Sequence, residues 1–202
     1  MHLQDIELVR TGFLVIDHLV TVRCGELVIP PMAIKPVPAQ SEWIKIQGIG
    51  SDWCCRFFDT SSNSCTIYTH RPSSCRALKC WDTGEIMAMA GRDLLVRSDL
   101  IENNDPLLPL VYLQEKQCPV PEIENIVIIL ADPMRRSELL MDLTSLVKID
   151  LQIRTQAVRE FNISVARELF YFGRPLFQLF HPLGIVTVET RQGLALKFQT
   201  HL

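Results

Sequence analysis

The usual catalytic and nucleotide-binding signatures are missing from this chain. It has no P-loop, no HExxH and no GxSxG, so phosphate-cradling, zinc-protease and hydrolase-elbow chemistry have nothing to rest on. Gly48-Ile49-Gly50 lacks the third glycine of a dinucleotide fingerprint. No CxxxCxxC run is present, which removes support for a radical-SAM reading. An excess of charge is missing too. The 20 Lys and Arg against 23 Asp and Glu leave a net charge of −3, which offers no electrostatic case for nucleic acid. No stretch approaches the roughly 20 apolar residues of a membrane span. The first residues carry Asp5 and Glu7 and only a short apolar run, Gly12 to Ile16, so no signal peptide is read there. Repeats and low-complexity tracts are absent. The expectation is a cytoplasmic protein with neither nucleic acid nor membrane as a partner. A protein partner stays open, and no catalytic residue is identified.

What the chain does have is cysteine, and it is crowded. Five of the seven cysteines fall inside the 29 residues from Cys54 to Asp82. Thiolate is the soft ligand that Zn²⁺, iron and iron–sulfur clusters select. Cys54 and Cys55 are adjacent, nine residues separate Cys55 from Cys65 and Cys65 from Cys75, and four separate Cys75 from Cys80. That is neither the close CxxC pairing of a zinc ribbon nor the C-x2-C-x2-C run of bacterial ferredoxins. Ligands at this spacing must be gathered from several turns. An odd number of cysteines in an unexported chain fits a reducing compartment, where thiols bind metal rather than pair.

The neighbours strengthen the metal reading. Arg56, His70, Arg71, Arg76 and Lys79 lie within a few residues of the cysteines. Such cations favour thiolate and offset the negative charge of a thiolate-ligated centre. The competing reading makes these cysteines small buried hydrophobes. Five in so short and polar a segment argue against it. His18 and His181 sit in apolar surroundings and read as packing or surface residues. His70, beside Arg71-Pro72, reads as part of a turn, and Cys118 stands apart as a non-ligand.

The string Cys55-Arg-Phe-Phe-Asp, then Cys65-Thr-Ile-Tyr68, Arg71-Pro72, Cys75-Arg76 and Cys80 resembles the second half of the YkgJ-like cysteine-cluster family. That family carries a CxxCxxCC signature and is described as zinc- or iron-chelating. The resemblance covers about a third of the chain. Its upstream cysteine run is degenerate here. Of that run only Cys24 and Gly25 survive, with Thr21, Leu27 and Val28 where the family has cysteine. The resemblance implies one metal centre on Cys55, Cys65, Cys75 and Cys80, with Cys24 as first reserve and Cys54 as second. Adjacent residues rarely point at one ion, so Cys54 and Cys55 are not expected to ligate together. Arg71 and Arg76 are expected to support the bound cofactor, donating to thiolate sulfurs and loop carbonyls. An iron–sulfur cluster or iron in redox or electron-transfer work is one implied function. Structural zinc in an interaction or accessory module is the alternative. Flagellin lysine methylases of bacteria carry a related cysteine signature, but no methyl-donor site is readable in this chain.

The expected fold class is α+β, organised as residues 1–82, the cysteine and metal region, and 83–202, a mainly helical region packed with it. The segments Gly12–Ile16, Leu19–Arg23 and Glu26–Ile29 read as strands. Pro30, Pro31, Pro36 and Pro38 impose an extended loop, and residues 51–82 read as loops with short turns. Thr83–Val96 reads as a helix, and Ile126–Leu130 as a short buried strand or helix end. Asp132-Pro133 starts the clearest helix, with an apolar stripe through Leu139, Leu140, Leu143, Leu146, Val147 and Leu151. A second helix is expected from Ser164 to Phe172, stopped by Gly173 and Pro175. The aromatic cluster around Phe170, Phe172 and Phe180 reads as core. Gly184 to Thr200 alternates around Arg191-Gln192-Gly193 as a β-hairpin.

Overall fold

Asp132 and Pro133 do start the longest element. The Asp132 side chain accepts the Met134 amide at 2.9 Å, Pro133 occupies the first helical position, and the helix runs unbroken to Phe161. The computed structural model describes residues 1–31, 33–50, 52–191 and 193–199. Ser51, at the head of the cysteine segment, and Gln192 and Thr200, within the hairpin reading, lie outside the described residues.

In chain order the elements are α1 (Ile6–Arg10), β1 (Leu19–Val22), β2 (Leu27–Val28), β3 (Val37–Pro38), β4 (Trp43–Ile46), β5 (Gly48–Ile49), β6 (Cys54–Cys55), β7 (Phe58–Asp59) and β8 (Ser64–Cys65). Then come α2 (Ser73–Ala77), α3 (Gly84–Met89), α4 (Leu108–Gln117), α5 (Ile123–Leu130), α6 (Pro133–Phe161), α7 (Val165–Phe172), α8 (Leu176–Phe180), β9 (Ile185–Thr190) and β10 (Gly193–Phe198). The fold is α+β, with the strands among the described residues arranged as five antiparallel pairs.

Several elements differ from the sequence reading. Gly12–Ile16 is not a strand. It is the irregular link from α1 to a short 3₁₀ turn at Ile16–His18, and only its Leu14 is buried. The expected helix over Thr83–Val96 stops at Met89, because Gly91 (φ 72°) and Asp93 (φ 46°) both turn left-handed. Residues 126–130 are helical and belong to α5. The stripe on α6 holds at Leu143 and Val147, then continues through Asp150, Ile153, Arg154 and Ala157. A buried Asp–Arg pair thus stands where apolar periodicity cannot see it.

Two of β1's positions explain how the halves meet. β1 pairs with β4, Thr21 opposite Ile44 and Val20 opposite Lys45. Side chains alternate, so Thr21 faces α7 and donates to the Phe170 carbonyl at 2.5 Å. Helix α7 is capped by Ser164, whose Oγ accepts the Arg167 amide at 3.1 Å, and ends at Gly173 (φ 66°). A Cβ on Gly173 would lie 2.8 Å from the Thr21 carbonyl, so both its conformation and its close approach need glycine. Leu14, Leu19, Ile44, Phe57 and Leu95 join Ile153, Phe170, Phe172 and Phe180 in a single apolar core. Around it run buried ion pairs: Arg23 with Glu115, Arg97 with Glu42 and Glu115, Arg154 with Asp150 and Glu168, and Arg174 with Glu26.

Candidate metal centre

Three local devices present the cysteines. The first is the β5–β6 hairpin, where Gly48 pairs with Cys55 and Ile49 with Cys54. Its turn is so tight that a Cβ on Gly48 would sit 2.5 Å from the Trp53 carbonyl oxygen. Arg56 follows the strand and ties it down, donating to the Asp17 carbonyl at 2.8 Å and to Gln47 Oε1 at 3.1 Å. Phe57 buries its ring edge-on to His18.

The second device is the β7–β8 hairpin, with Phe58 opposite Cys65. The Asp59 carboxylate accepts from the Ser61 amide and from the hydroxyls of Ser61 and Ser62. Those bonds draw its pKa down to about 2 and hold the turn that delivers Cys65.

The third device is α2, which carries Cys75. Its first residue, Ser73, gives both its amide (2.8 Å) and its hydroxyl (2.9 Å) to the carboxylate of Asp5, which is fully buried. The same carboxylate accepts the His2 amide at 2.9 Å. An acid 68 residues upstream therefore anchors the cysteine helix. The Met1 amine donates to the Ile44 carbonyl at 2.6 Å, and burial lowers its pKa to about 6.

The three devices bring three of the expected ligands into one another's electric field. The Cys75 thiol has its pKa raised, first by desolvation and then by the charges of Cys55 and Cys65. Cys75 keeps solvent exposure as a residue while its thiol stands among enough protein to be partly desolvated. Ionising these thiols together is unfavourable in the absence of a cation, and a divalent metal removes that cost. Their chemistry thus fits a thiolate-ligated metal. The spacing does not yet make a coordination sphere: among the described residues no group of three or more His, Cys, Asp or Glu side chains is placed to hold a metal ion.

The remaining candidates lie as follows. Cys80 is exposed beyond the end of α2, and Cys54 is exposed beside Cys55. Cys24 sits on the turn after β1, its thiol 3.5 Å from the Gln40 carbonyl. Arg71 stacks its guanidinium on the Tyr68 ring at 3.6 Å and donates to the Tyr68 carbonyl at 2.9 Å. It is committed to shaping the Tyr68–Pro72 turn. Arg76 is exposed in α2 and makes no side-chain hydrogen bond or ion pair among the described residues. His70 stacks on Phe13 at 3.8 Å. Cys118 is buried beneath α6, its thiol 3.8 Å from the Leu146 carbonyl.

Comparison with known proteins bears on this arrangement. Residues 27–92 match the CxxCxxCC family model, described as "Putative zinc- or iron-chelating domain". The CxxCxxCC resemblance read from the residues is borne out over that stretch, about a third of the chain. The CxxCxxCC match begins at Leu27, so it takes in Cys54, Cys55, Cys65, Cys75 and Cys80 and leaves out Cys24 and Cys118. No curated protein and no solved structure matches the chain. No helix among the described residues is long and apolar enough to cross a membrane.

Sequence reasoning missed Asp5, Ser73 and Gly48. A Pro72-Ser73 helix start and a glycine before Ile49-Gly50 are visible signals for the last two. Asp5 has none, because its partner is remote in sequence.

Proposed function

We propose that this chain holds one iron or zinc centre on Cys55, Cys65, Cys75 and Cys80. The observation that carries the reading is the approach of Cys55 and Cys65 to Cys75, whose pKa is raised first by burial and then by their charges, inside the stretch that matches a zinc- or iron-chelating family. Four thiolates complete a tetrahedral zinc site or hold a cluster. Arg76, exposed on α2, supplies uncommitted positive charge beside Cys75. Arg71 supports the centre through the turn it shapes. Cys54 is the reserve ligand within the matched stretch, and Cys24 the one outside it.

The finer reading is an iron or iron–sulfur centre in redox or electron-transfer work, in the cytoplasm. Solvent-facing Cys54, Cys55, Cys75 and Cys80 favour it, since electrons exchange with a protein partner across a short distance. Structural zinc is the second reading. It is favoured by the scarcity of buried apolar residues in the segment, where Phe57, Pro72 and Ala77 are the buried ones among the described residues, so ligand bonds must offset the ordering entropy of its loops.

Anaerobic purification with metal analysis tests both. A brown, iron-bearing protein supports the redox reading, and a colourless one with stoichiometric zinc supports the structural one. Cys75→Ser is expected to lose most of the bound metal in either case. Full metal content in that variant overturns the ligand set. Chelation is expected to open residues 54–80 to protease while α6 and α7 stay protected.

A further inference from the structure

On the face of β1 and β4 turned away from α7 lies a second concave site, with no expected ligand cysteine in its lining. Its walls are Trp43 and Trp53, its floor includes Val22, and its charged groups are Lys45, Arg174 and the buried Glu26. The cavity measures about 310 Å³, at the small end of the range that ligand pockets occupy.

The charges in it do not cancel. Glu26 is fully engaged: it receives Arg174 Nε at 2.6 Å on one oxygen and the Arg23 amide at 3.2 Å on the other. Lys45 is left without a hydrogen bond or ion pair among the described residues. Its ammonium lies 5.7 Å from the centre of the Trp53 ring, and the Arg174 guanidinium lies 5.8 Å from the same ring. Two cations against one acid give the pocket a surplus of one positive charge. Desolvation and then Arg174 lower the Lys45 pKa, so the ammonium is held at a cost that an anionic ligand removes. The indole of Trp53, 37% exposed at the rim, offers a flat apolar face over which the remainder of such a ligand can lie.

We propose that this pocket binds a small planar monoanion, an aromatic carboxylate, with Lys45 receiving the carboxylate and Trp43 and Trp53 enclosing the ring. The proposal stands independently of the metal reading. Trp53 is also the chain neighbour of Cys54, so the bound ring borders the hairpin that presents Cys54 and Cys55.

Two of the three tryptophans line the pocket, so their emission reports occupancy directly. The full chain is titrated with benzoate, with benzyl alcohol as the uncharged ring and inorganic phosphate as the ringless anion. Benzoate is expected to quench saturably at millimolar or lower concentration, with benzyl alcohol and phosphate each weaker by about tenfold or more. Lys45→Met is expected to lose benzoate affinity by about tenfold, and Lys45→Arg to retain most of it. In the wild-type protein, benzoate is expected to slow modification of Lys45 by trinitrobenzenesulfonate, read by mass spectrometry, which needs no variant to fold. Absence of saturable quenching, equal response to phosphate, unchanged affinity in Lys45→Met, or unprotected Lys45 each overturns the proposal.

Discussion

The helical half and the cysteine segment handle polar groups in opposite ways. In α6 and its surroundings the charges are interior and paired. Arg154 reaches Asp150 through Nε at 3.0 Å, Glu168 through one terminal nitrogen, and the Phe172, Gly173 and Arg174 carbonyls with what remains. In the cysteine segment the polar groups with chemistry are at the surface and mutually repulsive: Cys54, Cys55, Cys75 and Cys80 are exposed, and the ionised forms of Cys55 and Cys65 oppose that of Cys75. The first region pairs its charges among its own residues, although Gln114 Oε1 is buried there without a hydrogen-bond partner. The second does not: the charges of its thiols oppose one another, and on the proposed reading a bound cation offsets them.

The sharpest way to break the contrast is to remove Arg154. Asp150 would be left buried, with the Gln114 amide and the Leu176 amide as its partners. Arg154→Met is expected to lower unfolding stability by about 3–5 kcal/mol, read from the denaturant midpoint. A loss below about 1 kcal/mol would mean that Gln114 and Leu176 satisfy Asp150 alone.

A pH series probes the buried thiol beneath that network. Burial first, and then Asp150, push the Cys118 pKa up to about 11 from an ordinary value of 9.0. The folded state keeps this proton longer than the unfolded chain does. Its stabilising contribution is therefore complete below pH 9 and lost as pH rises toward 11. The loss is about 2–3 kcal/mol at most. Cys118→Ala is expected to flatten the stability profile over that window, and an unchanged slope would assign it to other groups. At neutral pH a thiol reagent is expected to modify the exposed cysteines well before Cys118.

Asp5→Ala tests the anchor of α2 in the cysteine region. It strands the Ser73 amide and hydroxyl and the His2 amide, at an expected cost of about 1–3 kcal/mol. It is also expected to weaken metal retention, whereas Arg154→Met is not, once each variant is measured below its unfolding transition. Equal metal loss in both would erase the distinction between the regions. The smallest effect is expected at Trp81, 86% exposed beyond α2. Trp81→Ser is expected to shift stability by no more than about 0.5 kcal/mol. A larger loss would show that this part of the segment is packed in solution.

What could be read beforehand follows from how local each cause is. Asp132-Pro133, Ser164 and Gly173 act on their own helices within a few residues, and all three were legible. The hairpin before Phe198 was legible through its alternation. Gly12–Ile16 misled because Leu, Val and Ile favour strands, while here Leu14 packs as a single anchor in an irregular turn. Helix α4 was not anticipated; its Pro109 lies in the first turn, where a missing N–H costs nothing. Among the site residues, the cysteines announced themselves by crowding. Asp5 under α2 and Lys45 between two tryptophans depend on contacts that no spacing encodes.

The bond from Thr21 to the Phe170 carbonyl spans 149 residues. During synthesis, therefore, β1 emerges long before the helix that closes over it. The nascent chain carries an apolar strand with one side uncovered until the 149 residues that separate Thr21 from Phe170 have been made. Completion of the core in this sense waits on a contact far downstream, and the interval before it is when the uncovered strand is exposed to misassociation.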